Sequence, residues 1–178
     1  MKKFIKGIMV LLIAAIFCVP IQAKASDDEC YVAENEEYGL DIRYGYDDEE
    51  YAYITEYYGS KSVVNIPAVI DGYPIKGIAG NAFSEQRNII SVKIPSGVEI
   101  IETSAFEGCI NLTSVNIPDT VKTIENQAFY NCESLSGIVI PDSVTLIGDQ
   151  AFEGCTLLKS IVIDENNGVY DSRDNCNA

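Results

Sequence analysis

Residues 92–114 read VKIPSGVEIIETSAFEGCINLTS, and the segment of equal length that starts at Val115 reads VNIPDTVKTIENQAFYNCESLSG. A third copy, IVIPDSVTLIGDQAFEGCTLLKS, begins at Ile138, so the Pro, Phe and Cys positions all recur with a constant 23-residue period. A constant period in this range is typical of a solenoid, in which each repeat buries its apolar face against its neighbours. The repeat therefore predicts a stacked protein, an architecture that usually binds rather than catalyses.

Residues 1–25 have the pattern of a signal peptide. Lys2, Lys3 and Lys6 precede an apolar run over residues 8–19, and Ala23-Lys24-Ala25 supplies the small residues of a cleavage site. An uncleaved membrane anchor is the alternative, but the run is shorter than the roughly 20 residues that span a bilayer. We therefore expect cleavage before Ser26, a secreted or surface-associated product, and no stable membrane insertion afterwards.

The chain is strongly acidic, with a formal net charge of −15. Cleavage before Ser26 would leave 8 Lys and Arg against 27 Asp and Glu. Phosphate backbones and anionic lipids repel such a chain, whereas basic proteins are attracted to it. Nucleic acid is therefore not expected as a partner, although the acidity also serves simply to keep a secreted protein soluble.

The remaining chain divides into three parts. Two runs rich in Tyr and Ile, residues 38–46 and 51–58, flank the acidic tetrapeptide 47–50 and predict a β-hairpin. Because a solenoid needs its first coil covered, we assign residues 26–62 as an acidic segment with a hairpin cap. The solenoid occupies residues 63–163, as about four coils and a final strand, and residues 164–178 form a polar tail.

The first repeat is longer than the others by an insertion of five residues. Its segment from Pro67 to Phe83 reads PAVIDGYPIKGIAGNAF, whereas the equivalent segment from Pro95 to Phe106 reads PSGVEIIETSAF. The extra residues lie around 70–74, where Asp-Gly and Tyr-Pro are typical of turns. The insertion therefore predicts a small protruding turn on an otherwise regular coil.

Within one repeat the apolar spacing changes along the coil. In the copy that begins at Val115, Val115 and Ile117 alternate across a short strand and Pro118 ends it. Val121 and Ile124 then return inward, and the Ala-Phe-x-x-Cys-x-x-Leu segment has the spacing of one or two helical turns. Each coil is thus predicted as a strand, a bend, an inward return and a short helix, which makes an α/β repeat solenoid.

These residues together resemble the BspA-like leucine-rich repeats over residues 64–163. The shared pattern is a strand that ends in Ile-Pro, followed by Val and Ile, then Ala-Phe, Cys and Leu in constant phase. The resemblance implies a right-handed coil and a binding role, such as attachment to host cells, matrix proteins or other bacteria. The first repeat departs from the pattern, since Gln86 stands at its Cys position.

The chain has no histidine, which removes the usual general base of hydrolases and the commonest zinc ligand. The repeat cysteines form a line with one thiol per coil and do not converge on a point, so we predict no catalytic residue, cofactor or metal. A disulfide between adjacent coils is a less favoured alternative to a buried ladder. The predicted core ladder consists of Phe83, Phe106, Phe129, Phe152, Cys109, Cys132 and Cys155.

Two further features, a pair of terminal cysteines and an acidic segment, leave alternatives open. A disulfide between Cys30 and Cys176 suits an exported protein, but the C-terminal tail would have to fold back along the solenoid. The acidic residues 47–50 could bind calcium, but their spacing does not fit a calcium loop. A solvated turn is favoured for that segment.

The candidate binding face is the set of strand positions that point outward, here called the outward row. It comprises Asn65, Lys93, Asn116, Val139 and Val162. The two valines could contact a protein partner, although strand propensity or cover by further coils also explains them. If the row faces solvent, Asn116→Asp should leave stability nearly unchanged.

The sequence therefore predicts a monomeric, non-enzymatic protein that binds another protein at the bacterial surface. One alternative is a carbohydrate-binding or enzyme-associated module, in which cap tyrosines such as Tyr53 and Tyr57 would contact the glycan. Another is a structural fragment without a dedicated partner.

Overall fold

The computed structural model of the protein describes the backbone of residues 24–25, 31–35 and 40–44, and all atoms of residues 51–170. The repeats form a parallel β-solenoid of about five turns. In chain order the strands are β1 (Lys24–Ala25), β2 (Tyr31–Asn35), β3 (Leu40–Tyr44), β4 (Ala52–Tyr57), β5 (Val63–Asn65), β6 (Val69–Ile70), β7 (Tyr73–Ile78), β8 (Ser91–Lys93), β9 (Ile100–Ile101), β10 (Ser114–Asn116), β11 (Thr123–Ile124), β12 (Ile138–Ile140), β13 (Leu146–Ile147) and β14 (Ile161–Ile163).

Each repeat contributes one strand to each of two strand layers. The first sheet has the order β1-β2-β3-β4-β7-β9-β11-β13, with β6 paired to β7. The second layer, called the second sheet, consists of β5-β8-β10 and of the pair β12-β14. The register follows the sequence period, since Val92 pairs with Val115 and Ile101 pairs with Ile124, the equivalent position of the next repeat in each case. The inward return predicted at Val121 and Ile124 is thus the segment that ends in β11.

The predicted short helices are absent from residues 51–170, and chains of turns take their place. Within one turn segment the N–H of Ala105 donates to the carbonyl of Glu102, three residues back, and Cys109 donates to Phe106 in the same way. The N–H groups of Phe106 and Gly108 donate across the stack instead, to the carbonyls of Ala128 and Tyr130, each at 2.8 Å. An α-helix cannot form because alternate donors are committed to the neighbouring coil.

Left-handed residues interrupt each turn segment at two recurring positions. One column contains Asn81, Ser104, Gln127 and Gln150, with φ between 57° and 61°, and the other contains Glu85, Gly108, Asn131 and Gly154. Such residues end a right-handed helix. In the second column a Cβ added at Gly154 would lie 2.0 Å from Oδ1 of Asn131, so the Asn131 side chain would have to move. The apolar spacing that suggested a helix is therefore produced by turns.

A column of stacked aromatic rings fills the core along the solenoid axis. Tyr57, Phe83, Phe106 and Phe129 are at most 1% exposed, and Phe152 is half-buried. The ring centroids of Phe83 and Phe106 are 4.9 Å apart, and the stack continues at 5.2 Å to Phe129 and 5.5 Å to Phe152. Tyr57 extends the stack beyond the repeats, 5.3 Å from Phe83.

The insertion in the first repeat forms a hairpin between β6 and β7. Val69 pairs with Pro74 and Ile70 with Tyr73, which leaves Asp71 and Gly72 as the two-residue turn. Both turn residues have positive φ, 51° and 86°, as a type I′ turn requires. The protruding turn predicted from Asp-Gly therefore lies at this point.

Antiparallel strands precede the solenoid. β2 pairs with β3, and β3 pairs with β4, which in turn pairs in parallel with β7 of the first sheet. The β3–β4 pairing is the one that the predicted hairpin requires, although its connecting residues lie outside the described residues. The meander thus joins the first sheet directly.

Residues 164–170 fold back on the C-terminal coil. The Asn167 side-chain amide donates to the carbonyls of Pro141 and Val144, at 2.9 and 3.0 Å. The Tyr170 hydroxyl accepts the N–H of Ile147 at 2.9 Å. These side chains pair backbone groups that a further coil would otherwise engage, so this part of the predicted polar tail is ordered structure.

Candidate binding face

The outward row lies on the outer side of the second sheet. All five of its residues are exposed, whereas neighbouring strand residues such as Val64 and Val92 are buried. Val139 and Val162 are directly paired in register, with 59% and 48% of their surfaces accessible. The C-terminal end of the row therefore presents two adjacent apolar side chains to solvent.

Asn116 points outward, but its side chain is engaged by the preceding coil. Its Oδ1 accepts the N–H of Ile94 at 2.8 Å, and its Nδ2 donates to the Ile94 carbonyl at 2.9 Å. In the described residues the second sheet has no ladder between β10 and β12, and Asn116 ends β10 at that break. Asn116 therefore joins two coils, and its amide is not free for a ligand.

A second line of outward positions runs beside the outward row. Its members are mostly small: Val63, Ser91, Ser114, Gly137 and Ser160. The hydroxyl of Ser114 donates to that of Ser91 at 3.1 Å. Because these side chains are small, the side chains of Val139, Val162 and Lys93 in the outward row project beyond them. Strand alternation alone identifies this line, since it lies two residues before the outward row.

A row of charged side chains crosses the first sheet beside the N-terminal ends of β9 and β11. Lys76 Nζ donates to Glu99 Oε1 at 2.8 Å, and Lys122 Nζ donates to the other oxygen, Oε2. Hydrogen bonds from Lys122 and then Lys76 lower the pKa of Glu99 to about 2. The 23-residue spacing of these three residues is the signal that would have revealed this ladder in the sequence.

The repeat cysteines are hydrogen-bonded within the core. The thiols of Cys109, Cys132 and Cys155 donate to the carbonyls of Phe83, Phe106 and Phe129, at 3.0, 3.2 and 3.2 Å. All three thiols are free, so the alternative of a disulfide between adjacent coils is not formed.

Burial makes the thiols of Cys109 and Cys132 poor nucleophiles. It raises the pKa of Cys109 to about 12. The hydrogen bond with Cys155, together with burial, also raises the pKa of Cys132. Cys109 and Cys132 therefore act as neutral donors at ordinary pH, whereas the hydrogen bond with Cys132 lowers the pKa of the half-buried Cys155.

Gln86 makes the equivalent hydrogen bond to a main-chain carbonyl in the first repeat. Its Nε2 donates to the carbonyl of Tyr57 at 2.9 Å. The longer amide side chain reaches an aromatic residue that lies 29 residues back, whereas each thiol reaches one that lies 26 residues back. The departure from the repeat is thus compensated by a donor of greater length.

The tyrosines that would contact a glycan are used in packing. Tyr57 is 1% exposed and stacks on Phe83. The Tyr53 ring covers Gly77, where an added Cβ would lie 2.1 Å from it. The Tyr57 ring therefore offers no open platform for a sugar, and the half-buried Tyr53 ring has one side against Gly77.

The remaining sequence features concern metal binding, a membrane span and the two chain ends. Residues 51–170 contain no cluster of three or more metal-ligating side chains. The described residues also lack a helix with the length and apolarity that a membrane span requires. Cys30, Cys176 and the acidic segment 47–50 lie outside the described residues.

Comparison with known proteins agrees with the repeat architecture. Residues 76–176 match the model of the BspA type leucine rich repeat region, in six copies. The structure is similar to a leucine rich repeat protein from T. pallidum, at 30% identity over 72% of this chain and 70% of that chain, with a TM-score of 0.63. A leucine-rich repeat protein from Bacteroides capillosus is 26% identical over 75% of this chain and 98% of its own, with a TM-score of 0.66.

More distant similarity concerns the fold alone. The pneumococcal vaccine antigen PcpA is 16% identical over 81% of this chain and 52% of its own, with a TM-score of 0.50. No curated protein matches the chain.

Proposed function

Because the chain belongs to the BspA-type leucine-rich repeat family, we propose that it binds a protein partner through the outer side of its second sheet. The observation that carries the proposal is the adjacent pair Val139 and Val162, both largely exposed on strands whose other side chains pack inward. Aliphatic side chains that are exposed together on a rigid sheet are typical of contact surfaces. Lys93, two coils away, would supply a charged contact at the other end.

The fold makes this face suitable for recognition. Within the paired groups β5-β8-β10 and β12-β14, the outward side chains are spaced by about 4.8 Å from coil to coil. The residues that repeat most strictly are buried in the core. Specificity therefore comes from positions that differ between copies, such as Lys93 and Val139.

The proposed setting is outside the cell. The signal-peptide pattern of residues 1–25 supports export, and PcpA is described as a vaccine antigen. Adhesion at the bacterial surface is the role that suits an exported protein of this family. No enzymatic activity is proposed, since the recurring side chains are used in packing and main-chain pairing.

The two ends of the solenoid are proposed to act as caps. The parallel pairing of β4 with β7 and the Tyr57–Phe83 stack support a capping role for the N-terminal meander. The hydrogen bonds of Asn167 and Tyr170 support the same role for residues 164–170. In this assignment residues 26–62 and 164–178 flank a solenoid of residues 63–163.

Capture from host-cell and matrix extracts tests the function. The purified protein is immobilised beside the variants Val139→Asp and Thr123→Asp, of which the second places the same charge on the outer side of the first sheet. We expect a captured protein that is lost with Val139→Asp and retained with Thr123→Asp. Equal capture by both variants, or saturable binding to a glycan array without any captured protein, would contradict the proposal.

A further inference from the structure

One main-chain position of the second sheet, the isoleucine that follows each residue of the outward row, is paired differently from coil to coil. The N–H of Ile66 donates to the carbonyl of Lys93 in the next coil, at 3.0 Å. The N–H and C=O of Ile94 both bond to the side chain of Asn116 instead. Ile117 is the next residue of this kind, and neither its N–H nor its C=O forms a hydrogen bond within residues 51–170.

Two residue identities leave the main-chain groups of Ile117 without partners. Val139 stands where Asn116 stands one coil earlier, and its side chain neither donates nor accepts a hydrogen bond. Pro141, in the same coil as Val139, has no N–H to donate to the Ile117 carbonyl. Pairing by a neighbouring strand is also missing, because β10 and β12 form no ladder.

The unpaired groups of Ile117 are reachable from the outer side of the second sheet. Ile117 is half-buried, whereas its equivalents Ile94 and Ile140 are 1% and 0% exposed. The side chain of Asn116 is bonded to Ile94 in the preceding coil, and the exposed Val139 lies in the following coil. The site lies between the coils of β10 and β12, inside the array, so it is not an end of the stack.

We propose that the main-chain N–H and C=O of Ile117 bind a side-chain carboxamide of the protein partner, from an asparagine or a glutamine, and that Val139 contacts the aliphatic part of the same segment. This inference rests on the proposed function and names the chemistry that the partner presents at this point. Asn116 is the model within the chain, because one carboxamide there satisfies both groups of Ile94. A partly buried N–H and C=O gain most from a partner that pairs both.

The chemistry of the two groups selects the carboxamide among side chains. The N–H of Ile117 needs an acceptor and its C=O needs a donor. Carboxylates only accept, and ammonium and guanidinium groups only donate, so each would leave one group unpaired. A hydroxyl does both, but from a single oxygen, whereas a carboxamide has its acceptor and its donor on two separate atoms, as the bonds of Asn116 require.

A side chain also suits the site better than a whole strand of the partner. A strand inserted beside β10 would have to separate two neighbouring coils by a further 4.8 Å or about that distance. The same two coils are held together elsewhere, since Thr123 pairs with Leu146 and the rings of Phe129 and Phe152 stack at 5.5 Å. A side chain that enters from the outer side requires no such separation.

An asparagine placed in the chain itself tests whether the site accepts a carboxamide. Val139→Asn should bond to Ile117 as Asn116 bonds to Ile94, and the amide hydrogen of Ile117 should then exchange with solvent more slowly, on the order of tenfold. Nuclear magnetic resonance of the labelled protein measures the exchange of that amide. Unchanged exchange at Ile117 in Val139→Asn would overturn the proposal.

Val162→Asn is the matched control for this exchange measurement. It makes the same change one coil further, where Ile140 pairs with Ile163 and its carbonyl accepts the N–H of Asp164 at 2.9 Å. The exchange of the Ile140 amide should therefore stay as it is in the unchanged protein. Equal slowing of exchange at both positions would mean that asparagine acts generally on the sheet, which would also overturn the proposal.

Selection of a random peptide library displayed on phage tests the partner's chemistry. On the immobilised protein, the enriched peptides should share an asparagine or glutamine beside an aliphatic residue. Val139→Asn should not enrich these peptides, because its own carboxamide fills the site, whereas Thr123→Asn, on the first sheet, should enrich them. Absence of enrichment, enriched peptides without a carboxamide, or equal enrichment on Val139→Asn would overturn the proposal.

The capture experiment separates this inference from the proposed function. A protein captured from extracts that is lost with Val139→Asp but retained with Val139→Asn would support binding through the second sheet and overturn the carboxamide site alone. Capture that both variants lose supports the two together. Capture that neither variant loses would contradict the proposed function and, with it, this inference.

Discussion

The side-chain amide of Gln86 donates a hydrogen bond to the main-chain carbonyl of Tyr57 at 2.9 Å. Three thiols make the equivalent bond in the following coils, each to the carbonyl of a stacked phenylalanine. One line of donors thus runs beside the aromatic stack from Gln86 to Cys155. The line shows that the first coil preserves an interaction of the repeat with a different residue type.

Replacing Gln86 with methionine should reduce the free energy of unfolding by about 1–2 kcal/mol, because methionine is of similar length but donates no hydrogen bond to the Tyr57 carbonyl. Urea denaturation followed by circular dichroism measures the change. Arg87→Met is the control, because Arg87 is largely exposed and its ion pair is with Glu85 at the surface. Equal effects of the two substitutions would show that the Gln86 bond contributes little.

Removing a ring from the middle of the aromatic stack should reduce the free energy of unfolding more than removing one from its end. Phe129 is fully buried between Phe106 and Phe152, and Phe129→Ala should destabilise the protein by about 3–5 kcal/mol. Phe152 is half-buried and stacks on one side only, so Phe152→Ala should cost clearly less. Denaturant midpoints of the two variants make the comparison. A larger loss at Phe152 would mean that stability is concentrated at the C-terminal coil.

Asn116→Asp should destabilise the protein, contrary to the prediction from its outward position alone. The carboxylate cannot donate to the Ile94 carbonyl, which lies 2.9 Å from Nδ2, and it places a charge beside that oxygen. We expect a loss of about 1–3 kcal/mol. Asn65→Asp is the matched control, since Asn65 lies in the same row and forms no side-chain hydrogen bond within residues 51–170. Thermal melts of the two variants that coincide would contradict the role assigned to Asn116.

Stability should fall with acidification partly through Glu99. Its pKa is lowered from 4.5 to about 2, so its folded form holds a proton less readily than its unfolded form. The resulting stabilisation is present above pH 4.5 and is lost as the pH falls toward 2. Because the Glu99 side chain is 38% exposed, screening by solvent limits this stabilisation to less than about 1 kcal/mol.

Urea denaturation at a series of pH values checks this dependence. Glu99→Gln should flatten the decline of stability between about pH 5 and pH 2, and added salt should reduce the difference from the unchanged protein. Glu133→Gln, at an exposed acidic residue, is the control. Identical pH profiles for the unchanged protein and Glu99→Gln would show that the two lysine contacts do not stabilise the fold.

The constant repeat period was sufficient to predict the solenoid and the strands of its second sheet. The segments that form β9, β11 and β13 were predicted only as inward returns and not as strands. The period did not distinguish turns from helices, because buried residues three apart occur in both. The deciding feature is the left-handed backbone at positions such as Ser104 and Gln127, which are not glycine and so give no signal in the sequence. Tyr57 was missed as a stacking residue because it precedes Phe83 by more than one repeat period and is therefore out of phase with the phenylalanines.

The candidate face was predictable in position but not in chemistry. Strand alternation identified the outward row, and all five residues are exposed. The hydrogen bonds of Asn116 to the main chain of Ile94 are not indicated by any residue pattern. The ordered contacts of Asn167 and Tyr170 occur once in the chain, so no repeat could reveal them.

Hydrogen–deuterium exchange of the protein with its captured partner tests the central claim most directly. Binding through the second sheet predicts slower exchange in peptides that contain β8, β10, β12 and β14, with little change in those that contain β9, β11 and β13. Protection confined to the first sheet or to the N-terminal meander would contradict the account, because the partner would then contact a different face.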